Sequence, residues 1–595
     1  MKRLLYLIAL FAMVLFIIPN QTFGDTLDVA ATPAGNVNNV INGDTLAGGV
    51  RAHPDRVYRL KRGSVYQVTE RFLINGDLHI VATDGTARPP VLAPAILADN
   101  SSIDHFFDFI GYGSNVEIND VYLTCFRADQ AQLGWSDGMR ISADSVTIKL
   151  KGDIFDGFSH TAIQLNNWWS KMDVQDCVFR NEMHGTSWFG GGAFLSNGNT
   201  AMDTSKFINN TFYCNNSYLW SIRGYDTYAL FEHNTIVYST VNPFLMSRGT
   251  NMHIKNNIFY ASHAMGGNPD HTINGWFLNI DTSSSSIVRA WAADSTSYWS
   301  VLWDFAIPGP ESYENDARGV TADLVSPANR VIDVQKNDFY LPQKLLDFYK
   351  SWNDTVTITD SVQCPVYGQA DEQAFVLKRV INAPTWENHY TKYVLDTLLP
   401  GVANITNDNV MMEDPGFNAD IQTQLDSLTL YIWKISANKL DHPWFYNPTG
   451  SFYPPTWPLS EDLSYTNTNL QNAGTDGFAL GDLNWFPDQK AQWEQYITDV
   501  NDTKPTAPAK FSLNQNYPNP FNPTTRITFN LAKSGFAQLS VYNILGQKVA
   551  TLISGNLSAG QHEVNFNASN LSTGVYIYKL ESGNNTSIKK MMLLK

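Results

Sequence analysis

The sequence predicts an all-β protein: a right-handed parallel β-helix of three-strand rungs, followed by a small Ig-like β-sandwich. Three observations carry that fold class. Short apolar strands recur in a fixed three-part order between residues 105 and 263. A polar corner of Asp or Asn recurs with them at steps of 33, 23, 34, 24 and 23 residues. Beyond residue 510 the texture changes to about seven strand-like runs punctuated by Gly turns.

At the N-terminus, Lys2 and Arg3 precede an unbroken apolar run from Leu4 to Ile18, and small residues lead to Gly24. This is the pattern of a secretory signal peptide over residues 1–24. The run is shorter than the roughly 20 residues a membrane-spanning helix needs. No later stretch predicts a transmembrane helix in the mature chain.

Residues 25–500 read as the β-helix domain, with insertions and a C-terminal cap. Val57-Tyr58-Arg59-Leu60, Val65-Tyr66, Leu78-His79-Ile80 and Pro90-Val91-Leu92 predict an opening turn. In the regular part the middle strand of each rung reads Val116-Glu117-Ile118, Val146-Thr147-Ile148, Met172-Asp173-Val174, Ser205-Lys206-Phe207, Ala229-Leu230-Phe231 and Met252-His253-Ile254, each with apolar alternation of period two. The corner after it is assigned to Asp120, Asp153, Asp176, Asn210, Asn234 and Asn257. Such side chains tolerate left-handed backbone and bond local amides, so a structural ladder is expected of them. A rung of 23 or 24 residues, sometimes carrying a loop of about ten more, accounts for all five spacings. Preceding strands such as Gly138-Met139-Arg140-Ile141 and Ala162-Ile163-Gln164-Leu165 complete the rungs. No rung can bury its apolar side alone, so stacking is what stabilises it.

Past residue 270 the pattern weakens. Val331-Ile332-Asp333-Val334 reads as one further rung and Gln343–Trp352 as a short helix. Asp414-Pro415-Gly416-Phe417 reads as a turn before the last coils. The stretches His442–Trp457 and Asp476–Phe486 read as a cap or flank. The coil resembles the pectate-lyase-like β-helix superfamily over residues 57–345 and on toward 500. That resemblance implies the fold and an extracellular setting among polysaccharides, but no particular activity.

Residues 501–510 form a Pro/Thr/Ala linker, and residues 511–595 predict the sandwich. The start Tyr517-Pro518-Asn519-Pro520-Phe521-Asn522-Pro523, the Leu545-Gly546 and Gly574-Val575-Tyr576 turns and the basic Lys589-Lys590 ending resemble the type IX secretion sorting domain (Por secretion tail). The resemblance implies recognition by type IX secretion machinery, passage across the outer membrane, and release or attachment at the cell surface.

Composition narrows the function classes. Hydrophobic residues make up 43%, enough for real cores, and charged residues only 16%. The net charge of −16 and the lack of a basic cluster argue against nucleic acid. The four Cys (Cys125, Cys177, Cys214, Cys364) have no C-x-x-C spacing, which argues against zinc fingers and for small buried hydrophobes. No cofactor is evident; Ca²⁺ would suit the acidity, but no D-x-D-x-D-G loop is present.

For chemistry, Arg223 and Arg248 stand 25 residues apart at matching places on successive rungs. With Lys255 they form the candidate catalytic set for a lyase on uronic-acid glycans, where cations neutralise a carboxylate while a base takes the α-proton. Arg140, Trp220, His233 and His253 are candidate substrate-binding residues. His160, Glu182 and His184 fall on loops between rungs. Ile103-Asp104-His105 resembles the Ile-Asp-His of pectate lyases but lacks the expected neighbours, so no role is assigned to it. Three readings stand: a surface coil binding extracellular polysaccharide of plant or algal type, a polysaccharide lyase or glycosidase, and a structural envelope component.

Overall fold

The computed structural model describes residues 25–46, 49–184, 191–196, 200–221, 225–241, 243–245, 251–264, 331–355, 361–362, 375–376, 383–386, 405–407, 410–436, 444–503, 512–516, 518–531, 535–557, 560–583 and 585–595. The chain parts between Lys490 and Ala491 into two compact units. The expected signal peptide lies outside the described residues. A helix, Pro487–Thr503, occupies residues 501–503 of the expected linker. No described helix is long and apolar enough to cross a membrane.

The first unit is a parallel β-helix with three parallel sheets. Sheet 1 runs from Thr26–Val29 and Val57–Leu60 through Asn115–Asn119, Thr147–Lys151 and Ser170–Gln175 to Val331–Gln335 and Ile405–Asn407. Sheet 2 stacks Phe72–Ile74, His105–Phe109, Asp137–Ile141, Thr161–Leu165, Phe194–Ser196, Trp220–Ser221 and Phe244–Leu245. Sheet 3 runs from Val65–Val68 to Asp338–Tyr340. Register follows the repeat: Met172 pairs with Ser205, Ser205 with Ala229 and Ala229 with Met252. The inward positions stack into one continuous core. Phe155, Phe179 and Phe212 lie ring on ring at 5.0 and 5.1 Å, each rung covering the aromatic of the next. The coil opens one turn earlier than the sequence reading placed it. The helix Asn36–Gly43 closes that end, burying Val37 and Ile41 in the same core.

The corner ladder needs a correction. Two successive corner positions favour Asp and Asn for different reasons. The first is left-handed backbone, held by Asp120, Asp176, Asn209, His233, Asn256 and Lys336 at φ between 49 and 61° and by Gly152 at 70°. The second is the true ladder: Asp153, Asn210, Asn234, Asn257 and Asn337, all buried. There each side-chain oxygen accepts a backbone N–H of the preceding rung, from Val121 at 2.8 Å, Cys177 at 2.9 Å, Asn210 at 3.0 Å, Asn234 at 2.8 Å and Asn257 at 3.2 Å. The amides of Asn210, Asn234, Asn257 and Asn337 donate back to the carbonyls of Val174, Phe207, Phe231 and Ile254. Asp120 and Asp176 are therefore not rungs of the ladder. In their rungs Val121 and Cys177 occupy the ladder position, leaving the left-handed residue as the one acid in view.

The chain leaves the coil after the parallel bridge of Met411 to Asp338, so the Asp414–Phe417 turn follows the last described coil strand, not the reverse. Phe417 packs edge-on against Tyr260, and Tyr238 donates from its hydroxyl to Ile421 O. Trp444 and Tyr446 then meet Tyr238 and Tyr213, and Tyr453 reaches Gln67 on an early rung. The segment returns along the coil: Asp482 accepts from the Thr211 hydroxyl at 2.7 Å, and Lys490 pairs with Asp176. Of the two stretches read as a cap or flank, the described residues 444–457 and Asp476–Phe486 thus form a strap along sheet 3 and the ladder corner; His442 and Pro443 lie outside the described residues. The strap's anchor is buried: Arg180 Nε sits 2.8 Å from Glu461, its Nη1 lies 3.5 Å from Asp156, and its guanidinium lies over the Tyr446 ring.

The second unit has a three-stranded antiparallel sheet (Ser512–Leu513, Thr524–Leu531, Gly560–Asn567) and a four-stranded one (Gly535–Asn543, Lys548–Leu557, Gly574–Ser582, Asn585–Leu593). Ile527, Phe529, Leu539, Val541, Tyr578, Leu580 and Leu593 form its core. The Pro-rich start is bound to the last strand. Phe521 N donates to Met592 O, Leu594 N to Phe521 O, and Met592 N to Asn519 Oδ1, at 2.8–2.9 Å.

Candidate functional site

The structure scatters the residues chosen from sequence. Arg223 and Arg248 lie outside the described residues. Trp220 is fully buried in the coil, packed on Phe207, Phe231 and Phe244, and cannot meet a ligand. The reason is register: Trp220 pairs with Phe194 and Phe244, the inward row of sheet 2. His253 and Lys255 stand on the outer face of sheet 1. His253 contacts Asp333 at 3.0 Å, and Lys255 pairs with Glu232 at 3.0 Å. His233 is buried at a left-handed corner beneath the strap, 2.8 Å from Asp476. Arg140 belongs to sheet 2. Among the described residues Cys125, Cys177 and Cys214 are buried free thiols.

What the fold does gather is a groove whose wall residue Asp104 is reached by Arg140. The longer rung between Asp120 and Asp153 carries its extra residues between the strands Tyr122–Thr124 and Asp137–Ile141. They form a loop pinned by a Phe126–Gln132 bridge and by the Leu133 N–H donating to Cys125 O. A second loop, residues 95–104, comes from the rung before. Between them lies a groove of about 310 Å³ lined by Ser102, Ile103, Asp104, Arg127, Gln132 and Trp135 with their neighbours. Trp135 is 49% exposed. It is nonetheless fixed: its ring stacks on His160 at 4.1 Å and meets His184 at 5.5 Å. One indole face is thus held by protein, as expected of a platform that presents apolar ring surface.

Behind the platform the polar groups form a chain. Asp137 is buried and takes His160 Nδ1 at 2.6 Å and Arg140 Nε at 2.6 Å. Arg140 extends to Asp104 at 3.4 Å, and His105 Nδ1 lies 2.8 Å from the other Asp104 oxygen. Burial pushes the Asp104 carboxyl up, but the charges of His105 and Arg140 outweigh it and hold it below its ordinary value. For His184 burial, then the neighbouring His160, push the imidazole down, favouring its neutral form. Glu182 is buried one corner further along, and burial holds its carboxyl well above the carboxylate range. Arg127 is held by Asp129 at 2.6 Å. Both arginines beside the groove are therefore already neutralised by carboxylates, while Asp and backbone oxygens remain as acceptors.

Sequence reasoning named Arg140, His160 and His184 separately and set Asp104-His105 aside. Trp135 and Asp137 it missed. The signal was available in the 33-residue spacing, because an insertion on a regular coil is where a binding loop is placed. Insertion length, unlike strand period, says nothing of which loop residues turn toward each other.

Compared with curated proteins, the chain matches none. Residues 515–594 match the secretion system C-terminal sorting domain. That match covers the antiparallel unit apart from its first short strand, Ser512–Leu513, and includes the Pro-rich start and the Lys589-Lys590 strand. The chain therefore ends in a type IX secretion sorting domain, addressed by that machinery for export across the outer membrane to the cell surface or beyond.

Proposed function

We propose that the exported coil binds an uncharged stretch of extracellular polysaccharide in the Trp135 groove. The observation that carries this reading is the half-exposed Trp135 ring, stacked on His160 at 4.1 Å in the wall of a groove. Sugar rings bring apolar C–H faces that suit an indole platform and hydroxyls that suit carboxylate and carbonyl acceptors. The committed state of Arg127 and Arg140 supports a neutral glycan over a uronate, since a bound carboxylate would have to share guanidinium charge that Asp129, Asp104 and Asp137 already compensate. The lyase reading draws support from the Asp137–His160 pair, in which a carboxylate orients an imidazole as a base requires.

The test is a glycan screen on the purified protein that records binding and unsaturated-uronate absorbance together. Retention of neutral glycans without absorbance is the expected result. Absorbance that His160→Ala abolishes would replace binding by lyase activity, and silence in both channels would leave a structural envelope role.

A further inference from the structure

We propose that Glu232, His233 and Asp476 bind a divalent transition-metal ion, Zn²⁺ by ligand class, which clamps the returning strap onto the coil. One ligand atom from each of the three lies within 4.8 Å of the other two. The arrangement follows from the corner. Glu232 ends the strand Ala229–Glu232, and His233 takes the left-handed position at φ 52°. There its imidazole faces the strap, with Nε2 2.8 Å from Asp476 Oδ2. The other described rungs place Asp120, Gly152, Asp176, Asn209, Asn256 and Lys336 at this position, so this rung alone of these offers an imidazole.

The ligands are oriented by a surrounding shell, as metal ligands commonly are. Asn256 Nδ2 lies 3.2 Å from Glu232 Oε1, and its Oδ1 accepts from the Thr475 N–H at 2.8 Å. Asp476 Oδ1 accepts from the Phe478 N–H at 3.2 Å, leaving Oδ2 toward the histidine. Lys255 supports Glu232 at 3.0 Å. One imidazole and two carboxylates suit Zn²⁺ with a water in the fourth place, whereas Ca²⁺ and Mg²⁺ prefer all-oxygen sets. Glu232 and Asp476 are partly exposed, which gives the ion a way in. His233 and Asp476 are 243 residues apart, so the ion would close a very long loop and favour the docked strap.

The full, tag-free protein would be stripped with a chelator and titrated with ZnCl₂ by calorimetry, with thermal unfolding followed in parallel. The expected result is one equivalent bound, a raised Tm, and at least about tenfold weaker binding in His233→Ala. Glu232→Gln, at a partly exposed strand end, is the second variant should His233→Ala fail to fold, with the same loss expected. No stoichiometric Zn²⁺ binding by the wild type, undiminished binding in both variants, or an equal response to CaCl₂ would overturn the assignment; the hydrogen-bonded His233–Asp476 pair would then be a purely structural contact.

Discussion

At a corner where two neighbouring positions both favour Asp or Asn, burial decides what a side chain is worth. Asn234 is buried and its side chain makes four contacts to adjacent rungs: its amide donates to Phe207 O and Asn257 Oδ1, and its oxygen accepts from Asn210 N and Asn210 Nδ2. Asn234→Leu removes them and leaves the Asn210 N–H unpaired, at a cost of about 1–3 kcal/mol. Asp120, one position earlier, meets Arg62 near solvent, so Asp120→Gly, which keeps the left-handed backbone, should cost less. Paired thermal melts check this; equal losses would contradict the two-position reading. Burial also sets a pH dependence. It pushes Asp482 up to about 7, against its hydrogen bonds from Asn484 and Thr211. Because the folded value is raised, the folded state keeps a proton that the unfolded chain gives up near pH 4. This contribution is whole below that pH, falls by about 1.4 kcal/mol per pH unit as pH rises toward 7, and is lost above. Asp482→Asn should flatten that slope by one proton in urea unfolding followed from pH 4 to 8; an unchanged slope would show that Asp482 is ionised in the fold.

Strand elements were legible in sequence because an inward apolar residue at every second place is what a parallel coil needs. The register Met172–Ser205–Ala229–Met252 could be read from alternation alone. The strap was legible only as a cap or flank; its path along the coil was not. Its residues Trp444, Tyr446, Tyr453 and Glu461 bury themselves against rungs hundreds of positions away, and no local period marks such contacts. The same limit hid Trp220, whose inward direction depends on strand register. The strap does make a sharp prediction. Glu461→Leu strands the buried Arg180 guanidinium, and losing one partner of a buried pair costs about 3–5 kcal/mol. Asp156 at 3.5 Å still faces Arg180, so the lower end is expected in denaturant unfolding of the full chain. A loss below that of Asn234→Leu would show that the strap is not anchored there.

Over the whole molecule, two units divide the work: one carries a surface and the other an address. The address was readable because its motif residues are also fold residues. Asn519 and Phe521 hold the last strand, and Gly546 takes the hairpin turn at φ 77°. Deleting residues 512–595 should hold the protein in the periplasm, with cell fractionation as the readout; undiminished surface display would contradict the assignment. The candidate site was only partly readable, since it combines loops from three rungs, and sequence order separates Asp104, Trp135 and His160 that the coil pitch brings together.

The most direct test of the central claim is retention of the purified protein on immobilised neutral polysaccharide, comparing wild type with Trp135→Ala and with Trp457→Ala, an exposed tryptophan of the strap. Losing an aromatic platform worth about 1.4 kcal/mol corresponds to tenfold weaker retention for Trp135→Ala. Wild-type retention is expected for Trp457→Ala. Equal retention of all three proteins would contradict a binding site in the Trp135 groove.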